Sequence, residues 1–116
     1  QEVCKLTCVD EFVKELFLGY QTKLEENGLN LSGGQRQRIL LARLLLQEKE
    51  IILIDEGLNA IDIQLERKIL NNIFSKYPNK TIIIVSHRME NQDLFHQVIH
   101  FETKKINHLL KERLYD

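Results

Sequence analysis

Three short stretches of this sequence hold residue types that can do chemistry. The first is Ser32-Gly33-Gly34-Gln35, at the head of the leucine-rich run in LNLSGGQRQRILLARLLL. A serine followed three residues on by glutamine is a capping box, which satisfies two backbone groups at a helix start and accounts for Ser32 and Gln35 as structure alone. It leaves the glycines unexplained, because each disfavours a helix by up to about 1 kcal/mol relative to alanine. A helix amino terminus carries unpaired N–H groups and a partial positive charge, and glycines there let a phosphate come close to the main chain. The second stretch is Asp55-Glu56, directly after an apolar run. Adjacent acids at such a place form either a solvated turn or a site. Near a phosphate, an aspartate leaving a buried strand suits a hydrated magnesium ion, and the next carboxylate can polarise an attacking water. The third is Ser86-His87, after a second apolar run. His87 is either a packed core histidine or a donor to a phosphate oxygen.

These residues need elements that bring them to one place. VDEFVKELF, residues 9–17, predicts a short helix capped by Asp10, with Val9, Phe12, Val13, Leu16 and Phe17 as its apolar stripe. Residues 19–30 are polar and turn-prone around Asn27-Gly28. A helix is predicted over about 32–47, a strand over 50–55, a helix over 62–77 ended by Pro78-Asn79, and a strand over 80–87. A weaker strand over 97–101 and a helix over 106–114 follow. The two strong strands are apolar on both faces, the pattern of a parallel sheet covered by helices on both sides. Strand, helix and strand in that order predict one right-handed crossover. In such α/β folds, ligands collect at the carboxyl ends of the strands, where Asp55, Glu56, Ser86 and His87 stand.

The bulk properties exclude little and fit this picture. The chain has 116 residues, 43% hydrophobic and 28% charged, which suits one small globular domain. A net charge of −1 gives no pull towards nucleic acid or an anionic membrane, and no nucleic-acid partner is expected. Cys4 and Cys8 lack the second pair that a four-ligand metal site needs, and read as buried reduced thiols. No signal peptide is visible, and Arg43 interrupts the longest apolar run short of a membrane span. The first residue is Gln1, so a longer protein is expected upstream. Arg36, Arg38 and Arg43 either are solvated or pair with acids across an interface, while His96, His100 and His108 read as surface or packing residues.

LSGGQRQR at 31–38 resembles the signature motif of ATP-binding cassette (ABC) ATPases. IILIDE at 51–56 resembles their Walker B strand with its catalytic glutamate, LNAID at 58–62 their D-loop, and SHR at 86–88 their switch histidine. Four motifs in order cover nearly the whole chain, and GYQTKLEENGLNLSGGQRQRILLAR with SHRM is most similar to bacterial exporters, in particular bacteriocin and peptide exporters.

The resemblance implies a partial P-loop NTPase fold of the α/β class, with residues 1–47 ending the helical subdomain and signature helix and 48–116 forming the carboxyl-terminal part of the ATPase core. It implies ATP and Mg2+ as cofactors, a second nucleotide-binding domain and a transmembrane domain as partners, and a place at the cytoplasmic face of the membrane. Two such domains meet head to tail in the family. Ser32, Gly33, Gly34 and Gln35 would contact the γ-phosphate of ATP held by the partner. Asp55 would hold the metal, Glu56 orient or deprotonate water, His87 hold the γ-phosphate, and Asp62 link the two sites.

The sequence departs from the family pattern in three places. GLNAID puts Gly57, Leu58, Asn59 and Ile61 off-pattern, which leaves Asp62 in place but questions the loop's geometry. The tail HFETKKINHLL lacks the usual glycine turn. The sequence contains no G-x-x-x-x-G-K-[ST] loop, no adenine-stacking aromatic and no Q-loop glutamine, so the chain alone is expected to be inactive. The family's topology places a missing strand between 80–86 and 97–101, and exposed sheet is expected to promote self-association. Two competing classes share parts of this pattern: a DNA-repair or chromosome-structuring ATPase, and a non-catalytic regulatory half.

Overall fold

The computed structural model describes residues 2–16, 18–22 and 31–101. In chain order its elements are α1 (Glu2–Leu6), α2 (Val9–Val13), α3 (Gly33–Leu46), β1 (Ile51–Asp55), α4 (Ile63–Lys76) and β2 (Thr81–Val85). The predicted turn at Asn27-Gly28 and helix over 106–114, with Phe17 and His108, lie outside the described residues.

β1 and β2 are parallel neighbours, in register from Ile51 opposite Thr81 to Asp55 opposite Val85. Their β-branched composition suits a pleated, packed surface, and α4 is the connection that a parallel pair requires. Ile52 and Ile54 are buried in one core with Leu41, Leu45, Ile69, Leu70 and Ile73. The alternate residues face the other way: Ile51 is 66% exposed, Leu53 61%, Ile83 50% and Val85 49%. The expected helical cover is therefore present on one face only among the described residues. The open face is the apolar surface behind the expected self-association.

Residues 97–101 form no strand, contrary to expectation. A strand exists only through a neighbour's hydrogen bonds, and the sheet consists of β1 and β2 alone among the described residues.

The helix expected over 9–17 starts at Val9 as expected but ends at Val13. A further five-residue helix, α1, precedes it, separated from it by Cys8, whose φ of 60° is left-handed. The Thr7 hydroxyl donates to the Val3 carbonyl at 2.8 Å and the Cys8 amide to Lys5 at 3.2 Å, closing α1. Cys8, not Asp10, is then the cap of α2. Val9, Phe12 and Val13 are buried as their spacing requires. Arg38 of α3 lies over the Phe12 ring at 4.7 Å and donates to the Cys8 carbonyl at 3.0 Å. It therefore joins α3 to α2 within the chain, and its stacked cation and apolar stem both contribute. Cys4 and Cys8 are free thiols; Cys8 is buried and Cys4 only half-buried. Burial, followed by the nearby Glu11, pushes the Cys8 thiol up, which keeps it protonated and unreactive. Across the core, Asn72 of α4 donates to the Leu6 carbonyl at 3.1 Å, and Lys68 pairs with Glu11 at 2.5 Å.

Candidate functional site

The site is built at the carboxyl ends of β1 and β2, as α/β folds favour. The Glu56 amide donates to the Val85 carbonyl at 2.9 Å, extending the ladder one bond past Asp55. Glu56 itself has φ 57°, a left-handed conformation that disfavours a non-glycine residue by about 1–2 kcal/mol. The turn aims its carboxylate across the strand ends: Oε1 lies 3.1 Å from His87 Nε2. The His87 side chain is 95% exposed and that of Glu56 33%. Asp55 is exposed beside them. The structure thus gathers Asp55, Glu56 and His87 on one edge. His87 is not a core histidine, and of the two acids Glu56 faces it.

The second part is the amino terminus of α3. Its capping box is complete: the Gln35 amide donates to Ser32 Oγ at 3.1 Å, and the Ser32 amide to Gln35 Oε1 at 3.0 Å. The amides of Gly33 and Gly34, in the first turn, have no intrahelical acceptor. The glycines have a packing reason that spacing did not reveal. A Cβ on Gly34 would lie 2.8 Å from the Ala60 carbonyl oxygen, and one on Gly33 would lie 3.3 Å from the Ala60 Cβ. The helix start and the loop after Glu56 are in close contact because both positions lack side chains.

That loop, residues 57–61, explains the off-pattern residues. Leu58 and Ile61 are 3% and 2% exposed, and serve as core. A Cβ on Gly57 would meet Ile54 Cγ2 at 2.7 Å. Asn59 accepts from Gln37 Nε2 through its side chain, while the Ala60 amide donates to Gln37 Oε1 at 2.8 Å. Asp62 caps α4, its Oδ1 accepting from the Leu65 amide at 2.9 Å. Arg88, next to His87, donates to the carbonyls of Ile61 and Asn59 and faces the buried Glu66 carboxylate at 3.7 Å. Sequence reasoning gave no role to Gln37 or Arg88; their only signal was adjacency to the signature glycines and to His87. Arg36, Arg43, His96 and His100 are exposed and stand apart from these contacts.

The donor set fits the implied groups. Among the described residues no three His, Cys, Asp or Glu side chains converge on one metal position. Magnesium keeps most of its waters and takes few protein ligands, so the single exposed Asp55 carboxylate suits it when phosphates supply other oxygens. No helix of the described residues is long and apolar enough to cross a membrane.

Comparisons with known proteins point to one family. The family profile described as ABC transporter matches residues 5–59. An ATP-dependent lipid A-core flippase of Legionella pneumophila (strain Paris) is 40% identical over 95 residues, covering 82% of this chain and 16% of the relative. A Lactococcus lactis protein, described as a lactococcin transport/processing ATP-binding protein LcnC-like, is 40% identical over 94 residues, 81% of this chain and 13% of its own length. The structure of a bacterial Atm1-family ABC exporter with ATP bound superposes with a TM-score of 0.71 at 36% identity, covering 75% of this chain and 15% of that one. The chain thus spans about a sixth of the length of these relatives. With the signature-helix cap, the acid and histidine on one parallel strand edge and a fold shared with an exporter, the chain belongs to the ABC transporter family, within the nucleotide-binding domain of its exporters.

Proposed function

We propose that this chain is the carboxyl-terminal part of an exporter's nucleotide-binding domain, and that the longer protein hydrolyses ATP in a head-to-tail dimer to drive export. Residues 1–47 then end the helical subdomain and signature helix, and 48–116 belong to the ATPase core. The observation that carries this reading is the Glu56–His87 pair, 3.1 Å apart at the sheet edge beside Asp55. The apolar face at Leu53 and Ile83 supports it too, because the rest of such a domain would cover it.

In this reading each residue has a distinct task. Glu56 orients the attacking water and accepts its proton, and its left-handed backbone points the carboxylate away from the strand. His87 donates to the γ-phosphate, and its contact with Glu56 sets the distance between base and donor. Asp55 holds magnesium, which when bound offsets phosphate charge. Ser32, Gly33, Gly34 and Gln35 present the first-turn amides of α3 to the γ-phosphate of ATP bound by the second domain. Asp62, fixed as a helix cap, stands between the two sites. The partner is a second copy or a related domain, and transmembrane helices place the assembly at the cytoplasmic face of the membrane.

Phosphate release from ATP tests this. The protein at the length of its relatives is expected to turn ATP over, and the isolated 116-residue chain is expected not to, since γ-phosphate positioning supplies most of this catalysis. Turnover by the isolated chain, or none by the longer protein, contradicts the reading.

A further inference from the structure

The loop between Glu56 and Asp62 has two turn bonds of its own, from the Asn59 amide to the Glu56 carbonyl at 3.5 Å and from the Ile61 amide to the Leu58 carbonyl at 3.1 Å, and two side chains from other segments hold it as well. From α3, Gln37 uses both ends of its amide. Nε2 donates to Asn59 Oδ1 at 2.5 Å and, more weakly, to the Glu56 carbonyl at 3.4 Å, and Oε1 accepts from the Ala60 amide at 2.8 Å. From the segment after β2, the guanidinium of Arg88 donates to the Ile61 and Asn59 carbonyls. Arg88 is itself fixed by Glu66, a carboxylate 4% exposed that also accepts from Asn91 Nδ2 at 2.9 Å. Glu66 would be a buried, uncompensated charge without its donors, so Arg88 is not free to swing away.

We infer that Gln37 and Arg88 are positioning residues of the catalytic centre, a role that rests on the function proposed above. They clamp loop 57–61 and so fix Glu56 and Asp62 relative to two other parts of the site. Gln37 lies one turn beyond the signature glycines, and Arg88 adjoins His87. A displacement of the α3 terminus is carried through Gln37 to the Glu56 and Ala60 peptides. The same loop is tied to the His87 segment through Arg88. Asn59 matters to this clamp: its side-chain amide oxygen is the acceptor for Gln37 Nε2. The planar fork of arginine reaches two carbonyls at once, which the single ammonium of lysine does not.

The test uses the protein at the length of its relatives, with three variants. Gln37→Met removes one side of the clamp. Glu66→Gln with Arg88→Met removes the other without leaving a buried charge, and keeps an acceptor for Asn91. Arg88→Lys keeps the charge beside Glu66 but not the fork. Peptide-level hydrogen exchange is read over residues 57–61 and over β1. Each variant is expected to raise loop exchange about tenfold or more while β1 stays protected. ATP kcat is expected to fall about 10- to 100-fold, with KM changed much less, because misplacement of a catalytic group acts on the chemical step. Unchanged loop exchange in the Gln37→Met and double variants, or equal loosening of β1, overturns the inference. So does a kcat that stays at the parent value while the loop exchanges faster. A parent protein without ATP turnover would instead overturn the proposed function, and loop exchange would still report on the clamp.

Discussion

Glu56→Gln, in the protein at the length of its relatives, is expected to lower kcat for ATP hydrolysis by about 10²- to 10⁴-fold, the usual contribution of a positioned general base. ATP binding is expected to persist. The substitution keeps side-chain volume and leaves an amide able to meet His87 Nε2, which lies 3.1 Å from the present carboxylate oxygen. It also keeps a non-glycine residue at the left-handed φ of 57°, so the backbone strain is common to both proteins. What is lost is the negative charge and the proton acceptor. Steady-state phosphate release gives kcat, and equilibrium binding of nucleotide shows whether affinity survives. Turnover at the parental rate would remove Glu56 from the chemistry.

The second large effect separates two accounts of the signature glycines. Gly34→Ala gains up to about 1 kcal/mol of helix propensity, and on that ground alone it should stabilise the domain. The structure places the new Cβ 2.8 Å from the Ala60 carbonyl oxygen, a backbone atom that Gln37 and Arg88 hold in place through its neighbours. The expected net result is a loss of about 1–3 kcal/mol, the range for overpacking. Gly33→Ala meets the Ala60 Cβ at 3.3 Å, a contact that a small shift relieves, so its stability is expected to stay close to the parent's. Adding Ala60→Gly relieves the Gly33→Ala contact but not that of Gly34→Ala, whose clash is with a carbonyl oxygen. Denaturant midpoints of the nucleotide-binding domain distinguish the two. A stabilised Gly34→Ala would mean that the helix and the loop stand further apart than described.

Much of the framework was legible in the sequence because it follows from period and capping. The signature helix was expected over 32–47 and runs Gly33–Leu46, and the crossover helix was expected over 62–77 and runs Ile63–Lys76. Ser32 and Asp62 cap these helices, and capping residues mark helix starts well. The apolar strands and their parallel pairing were legible for the same reason, as was the convergence of Asp55, Glu56 and His87 at their ends. What stayed hidden depends on contacts between distant segments. The left-handed residue at Cys8 offers its carbonyl to Arg38, thirty residues away, a contact with no local signal. Residues 97–101 have strand-like composition but no neighbour to pair with among the described residues. The left-handed turn at Glu56 has no local signal, since glutamate gives no hint of positive φ. The off-pattern Leu58 and Ile61 looked like a defect in the loop, and their burial shows that they anchor it.

At the centre of this account, the start of α3 receives a phosphate of ATP bound by another domain. The distance between labels on the two nucleotide-binding domains, read in the protein at the length of its relatives carrying Glu56→Gln so that ATP persists, tests that most directly. With ATP and magnesium the nucleotide-binding domains are expected to close into a tight pair, and Ser32→Arg, which fills the approach to the first-turn amides, is expected to abolish closure while each domain still binds ATP. Closure that is as tight with Ser32→Arg as without it would contradict the account.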